Sequence, residues 1–136
     1  MRVIPPSELI INADGSVFHL HLKPGQLSDK IILVGDPERV SSVASRFDSI
    51  ECEVSNREFH SITGYFQGKR ISVVSHGIGT DNIDIVLNEL DALVNIDFTS
   101  RTVKEIFTQL TLVRIGTSGG LQHFVPVGTY VAAERS

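Results

Sequence analysis

The feature that most restricts how this chain can fold is an apolar strand running straight into a glycine corner, and it occurs twice. Ile31-Ile32-Leu33-Val34 is an unbroken aliphatic run that meets Gly35-Asp36-Pro37, and Leu112 to Ile115 runs into Gly116-Thr117-Ser118-Gly119-Gly120. An apolar run without alternation suits a strand buried on both faces, the usual condition of a parallel strand under crossover helices. The first helix follows at once. Asp36 is placed to N-cap it, Pro37 takes its first position, and Val40, Val43, Ala44 and Phe47 recur at helical spacing, which predicts a helix over Pro37 to Phe47.

Other segments fill in the plan. Val17 to Leu22 alternates, with Phe18, Leu20 and Leu22 on one side and His19 and His21 on the other, and predicts a half-buried strand whose two histidines project together. Phe59 to Phe66 and Arg70 to Ser75 flank the turn Gln67-Gly68-Lys69 and predict a hairpin. Gly77-Ile78-Gly79 breaks the second of these strands. Thr80 to Val94 carries Ile83, Val86, Leu87, Leu90 and Val94 on one stripe and predicts an amphipathic helix. A polar stretch from Asn95 to Lys104 follows, and Gly128 to Ala133 predicts a last strand. Strands alternating with helices, with a hairpin among them, predict an α/β fold: a single domain over residues 1–136 with a mixed central sheet and flanking helices. Two helices are too few to cover both faces of such a sheet, so the domain reads as incomplete, truncated at its C-terminal end.

Composition excludes several classes. With 136 residues, 41% hydrophobic and 21% charged, the chain suits one globular domain, and no apolar run is long enough to cross a bilayer. The N-terminus lacks a signal-peptide pattern, so a cytoplasmic location is expected. A net charge of −4 argues against nucleic acid, which calls for a basic face. Cys52, the only cysteine, offers neither a disulfide nor a cysteine zinc site and reads as filler within a strand.

In open α/β sheets ligands bind at the carboxyl ends of strands, where a glycine turn exposes amides and a helix N-terminus favours an anion. The corner Gly35-Asp36-Pro37-Glu38-Arg39 offers free amides beside a guanidinium. At the other corner Arg114 lies between Leu112, Val113 and Ile115, and a guanidinium in such a strand needs an anion, either an internal carboxylate or a ligand. Arg39 taken alone reads first as a solvated helix residue. Neither Gly77-Ile78-Gly79 nor Gly116-Thr117-Ser118-Gly119-Gly120 has the spacing of a dinucleotide fingerprint, and the sequence holds no P-loop. His19 and His21 would share a strand face, but no third ligand is placed, and no metal is assigned.

Taken together, Val34-Gly35-Asp36-Pro37-Glu38-Arg39-Val40, Asn56-Arg57-Glu58-Phe59, Gly77-Ile78-Gly79, Arg114-Ile115-Gly116-Thr117-Ser118-Gly119 and Val127-Gly128 resemble, in order, the hexameric nucleoside phosphorylase superfamily. Val17-Phe18-His19-Leu20 resembles its uridine phosphorylase branch. The resemblance spans Ser16 to Glu134 and covers only the first part of a family member. It implies a phosphate site from Gly35, Arg39, Arg114 and Thr117, with Arg114 and Thr117 acting on the nucleophile and Arg57 reaching in from a neighbouring subunit. His19 is implied to touch the ribose in a neighbour's site. Some members hold a monovalent cation, potassium, near positions matching Glu58, Ile78 and Asn82, although the family has serine at the third. Gly120, Thr80-Asp81-Asn82 and the long stretch from Val94 to Leu110 also depart from the family pattern.

What the resemblance implies is phosphate-dependent cleavage of a nucleoside, uridine first, to ribose 1-phosphate and free base, as in pyrimidine salvage, by a dimer-based homo-oligomer that is a hexamer in the family. No organic cofactor is implied; inorganic phosphate is the co-substrate. Family positions that hold the base and the ribose hydroxyls lie beyond Ser136, so the chain alone is expected to be catalytically silent. Alternatives are a same-fold nucleosidase that uses water, a non-catalytic fragment serving assembly or binding, and a generic dinucleotide binder.

Overall fold

The computed structural model describes residues 2–135. Its centre is a five-stranded mixed sheet in the order β2-β3-β4-β1-β7. Strand β1 (Lys30–Val34) lies between β4 (Lys69–Ser75) and β7 (Thr111–Ile115) and is parallel to both. Strands β3 (Phe59–Phe66) and β4 form the predicted hairpin, and β2 (Ser49–Asn56) adds to β3 in antiparallel fashion at the edge. Helix α1 spans Pro37–Ala44 and α2 spans Thr80–Asn95. The predicted fold class is therefore the one observed.

Alternation along the central strands divides the core between the two helices. Ile31 and Leu33 of β1 and Val74 of β4 pack with Val86, Leu90 and Leu93 of α2, together with Val17, Leu20, Leu22 and Phe59. On the opposite face, Val34 and Val73 pack with Val40 and Ala44 of α1 and with Ile62. One helix on each face is enough over β1 and β4. It is not enough over β7, all five of whose residues are exposed.

Several expectations are corrected. Val17 to Leu22 is not a strand. The backbone N–H of Val17 donates to Leu22 O, that of His21 to Val17 O, and His21 takes φ 54°, so the segment folds back on itself. Leu20 and Leu22 still enter the core, but His19 and His21 do not share a strand face. Helix α1 ends at Ala44, three residues short of the expected end. There the N–H of Phe47 turns back to Ala44 O, and Phe47 packs on the core from beyond the helix.

No sequence pattern marks the ends of β2, and the polar stretch holds a two-residue ladder between β5 (Ile96–Asp97) and β6 (Thr102–Val103). The expected strand from Gly128 to Ala133 does not form. The N–H of Thr129 turns back to Pro126 O, Gly128 takes φ 89°, and no described strand lies beside the segment to pair with it.

No helix among the described residues is long and apolar enough to cross a membrane.

Candidate functional site

Because β1, β4 and β7 run parallel, their carboxyl ends meet along one edge of the sheet. The chain leaves them at Gly35, at His76-Gly77 and at Gly116-Thr117 respectively. A cleft of about 610 Å³ opens at this edge. Gly35, Arg39 and Thr117 line it together with Glu58, Gly77, Ile78 and Asn82, whereas Arg114 is not part of the lining. Residues assigned separately from two glycine corners thus face a common space.

The local backbone is built for that approach. The Asp36 carboxylate accepts the Glu38 N–H at 2.9 Å and caps α1, and Pro37 has no N–H to satisfy. Gly77 takes φ 66°, and a Cβ there would lie 2.8 Å from Glu58 Cγ and 2.9 Å from Asn82 Nδ2. Only glycine lets the backbone pass so close to the Glu58–Asn82 pair.

Arg114 is exposed, which corrects the expectation of a guanidinium buried in an apolar strand: β7 is the sheet's edge, and no helix among the described residues covers it. It finds no internal carboxylate either. Among the described residues none of Arg39, Arg57 and Arg114 forms an ion pair, whereas Arg2 is paired with Glu8 and Arg70 with Glu51. The Nε–H of Arg114 donates instead to His76 Nε2 at 3.1 Å. Sequence reasoning passed over His76, which carries no motif of its own.

Burial, and then the positive charge of Arg114, hold His76 below the usual histidine pKa. The backbone carbonyls of Gly77 and His76 oppose the shift in part. Those carbonyls do not complete a hydrogen bond, and Nδ1 of His76 is buried without a partner among the described residues.

Arg57 stands in the turn between β2 and β3 with φ 55°, exposed and outside the cleft lining. His19 lies elsewhere too, in a second hollow of about 500 Å³ between the N-terminal segment and α2. Its Nδ1 is 2.7 Å from Glu89 Oε1, and the Glu89 carboxylate also accepts the N–H groups of His19 and Leu20. Glu89 was likewise not singled out, although an acid on the apolar side of an amphipathic helix is itself a signal.

Glu58, Ile78 and Asn82, the positions associated with a monovalent cation, do share the cleft. The backbone N–H of Glu58 itself, and then Asn82 Nδ2, which donates to Glu58 Oε1 at 3.0 Å, hold the Glu58 carboxyl below its usual pKa. As arranged, Asn82 turns a donor and not an oxygen toward Glu58.

A family model described as the phosphorylase superfamily matches residues 29–136. The uridine phosphorylase of Thermococcus kodakarensis is 31% identical over 123 residues, which is 90% of this chain and 39% of that protein. The DeoD-type purine nucleoside phosphorylase of Caldanaerobacter subterraneus subsp. tengcongensis is 34% identical over 116 residues, 85% of this chain and 44% of the relative.

Among solved structures, a Trypanosoma brucei nucleoside phosphorylase described as showing uridine phosphorylase activity superposes with a TM-score of 0.79 at 35% identity, covering 87% of this chain and 41% of that one. A uridine phosphorylase of the oomycete Phytophthora capsici gives 0.70 at 32% identity, with 85% and 36% covered. The chain spans less than half the length of the relatives it matches.

Proposed function

Since this chain belongs to the phosphorylase superfamily, we propose that its cleft binds inorganic phosphate and that the reaction it serves is phosphorolysis of a nucleoside, uridine first, to ribose 1-phosphate and free base. One observation carries the reading: Arg39, without an ion-pair partner among the described residues, lines a cleft with Gly35 and Thr117 at the carboxyl ends of three parallel strands, and Arg114, also without one, stands at the end of the third. Unpaired arginines at a glycine corner suit a small, doubly charged oxyanion, which planar guanidinium forks hold in a defined orientation.

The chemistry asks little covalent work of the protein. A phosphate oxygen forms the new bond to the anomeric carbon as the carbon–nitrogen bond breaks, and the electron pair departs with the base, which takes up a proton. Arg39, Arg114 and Thr117 would strip water from the phosphate and aim it. The dianion so held then stabilises the positive charge developing on the ribose ring. We assign Arg57 and His19 to a neighbouring subunit's site in a homo-oligomer, an assignment supported by their lying outside the cleft of their own chain.

Both uridine and purine phosphorylases stand among the relatives at similar identity, so a purine nucleoside is the second reading. The segment Val17-Phe18-His19-Leu20 favours uridine. With the chain spanning 39% of the uridine phosphorylase relative, phosphate binding is the property expected of the chain by itself, and base release is expected of the complete assembled protein.

The test has two arms. Calorimetry should show phosphate binding to the chain, and the assembled protein should release base from uridine faster than from inosine, only when phosphate is present. Release in water alone would replace the reading with that of a nucleosidase.

A further inference from the structure

His76 and Arg114 leave neighbouring regions of the sheet edge and are tied to the same corner. The backbone N–H of His76 donates to Val34 O at 2.9 Å, which holds the end of β4 to the end of β1. Its ring is buried, and a Cβ on Gly35 would lie 3.8 Å from its Cε1. The Nε–H of Arg114 donates to Nε2 of this ring. The guanidinium also lies close over Gly116, where a Cβ would come within 2.5 Å of Nη1 and 3.0 Å of Cζ.

Two consequences follow from donor and acceptor chemistry. Nε2 accepts, so it carries no proton, and in the neutral ring the proton sits on Nδ1. The contact engages only the Nε–H of Arg114 and leaves both Nη amino groups for another acceptor.

We infer that His76 is a positioning residue for Arg114, holding the guanidinium by Nε over Gly116 so that its Nη groups are preset for an oxyanion at the Gly35–Thr117 cleft. The inference rests on the phosphate reading above. An exposed arginine on an edge strand samples many rotamers, and fixing it only when ligand arrives weakens binding. A buried imidazole anchored to β1 supplies the fixed point in advance. No charge is added to the site, so the effect is one of geometry.

The experiment compares His76→Leu, His76→Gln, Arg114→Ala and the His76→Leu/Arg114→Ala pair by calorimetric titration with inorganic phosphate. Arg114→Ala should weaken binding most. His76→Leu should weaken it by up to about tenfold, and His76→Gln, whose amide oxygen can accept from Nε, should recover most of that loss. In the double variant His76→Leu should add nothing, because there is no guanidinium left to place.

If Arg114→Ala binds phosphate like the unaltered chain, the phosphate reading fails and this inference falls with it. If Arg114→Ala is impaired while His76→Leu is not, or if the two losses add, only the positioning role is overturned. Nitrogen NMR of the unaltered chain decides independently of any variant's folding: the unprotonated ring nitrogen of His76 should be Nε2, and a proton found there overturns the inference.

Discussion

Nδ1 of His19 lies 2.7 Å from Oε1 of Glu89, and the same carboxylate accepts the backbone N–H groups of His19 and Leu20. A single buried acid on α2 thus holds a turn 70 residues away in sequence. Glu89→Ala would leave two largely buried N–H donors unpaired, and about 3 kcal/mol of stability should be lost. Glu89→Gln, which keeps one acceptor oxygen, should cost about 1 kcal/mol. Urea unfolding measures both, and amide exchange at His19 and Leu20 should accelerate in the alanine variant before the sheet opens. Equal stability in all three proteins would mean that water replaces the carboxylate at no cost.

That contact also explains where sequence legibility ended. The alternation of Val17 to Leu22 is genuine, and it correctly sends Leu20 and Leu22 inward. What turns the backbone is an acceptor far along the chain, which no local pattern encodes. The two strand-to-glycine corners were legible because their signals are local: an apolar run, a glycine and a capping aspartate. Gly35, Arg39 and Thr117 therefore line one cleft, while Arg114, grouped with them in the sequence, does not. Arg114 was misjudged because exposure depends on what covers a strand, and β7 is an edge. His76 escaped notice because its role arises only when the ends of β4 and β7 come together.

Gly77 tests the cleft wall. Its φ of 66° and the closeness of Glu58 Cγ and Asn82 Nδ2 leave no room for a side chain. Gly77→Ala should destabilise the fold by about 2 kcal/mol and should weaken phosphate binding by displacing Glu58 and Asn82. Thermal melts and calorimetry on one sample separate the two effects. An alanine variant with unchanged melting and unchanged affinity would show that the corner yields freely.

The arginine ranking tests the chemistry. Arg114→Ala should cost about 2 kcal/mol of phosphate affinity, since a charge-assisted bond to the nucleophile is lost. In the assembled protein the same change should lower the rate far more than His19→Ala, which should chiefly raise KM for the nucleoside. Steady-state kinetics with uridine would count against the assigned roles if the ranking were reversed.

Asp14 gives a pH signature on the His19 side of the molecule. Its carboxylate accepts both the hydroxyl and the N–H of Ser16, and these bonds bring its pKa down to about 2. A carboxyl whose pKa is lower folded than unfolded binds more protons in the unfolded state, so its contribution is present above the unfolded value of about 3.9 and is lost as pH falls through about 2. Carbon NMR of the Asp14 carboxyl should show its midpoint near 2 and, in Ser16→Ala, a midpoint closer to that of a free aspartate. A midpoint unmoved by Ser16→Ala would assign the shift to another cause.

The assignment of Arg57 to a neighbour's site can be settled by mixing two defective proteins. Arg57 is exposed in the turn between β2 and β3 and does not line the cleft of its own chain. If it completes a neighbouring site, Arg57→Ala alone and Arg114→Ala alone should each bind phosphate poorly. In a mixed dimer, however, the subunit carrying Arg57→Ala keeps its own Arg114 and receives an intact Arg57 from its partner. Its site is whole, while the other site of that dimer lacks both groups. In a random mixture of equal amounts roughly half the dimers are mixed, so roughly a quarter of all sites should recover tight binding. If Arg57 served its own chain, every site in every dimer would still lack one arginine, and mixing would restore nothing. Subunit exchange under mild denaturant, followed by phosphate titration and light scattering, distinguishes the two. Recovery near a quarter requires both an oligomer and an arginine shared across it, whereas no recovery in a verified mixed dimer would place Arg57 outside the partner's phosphate site.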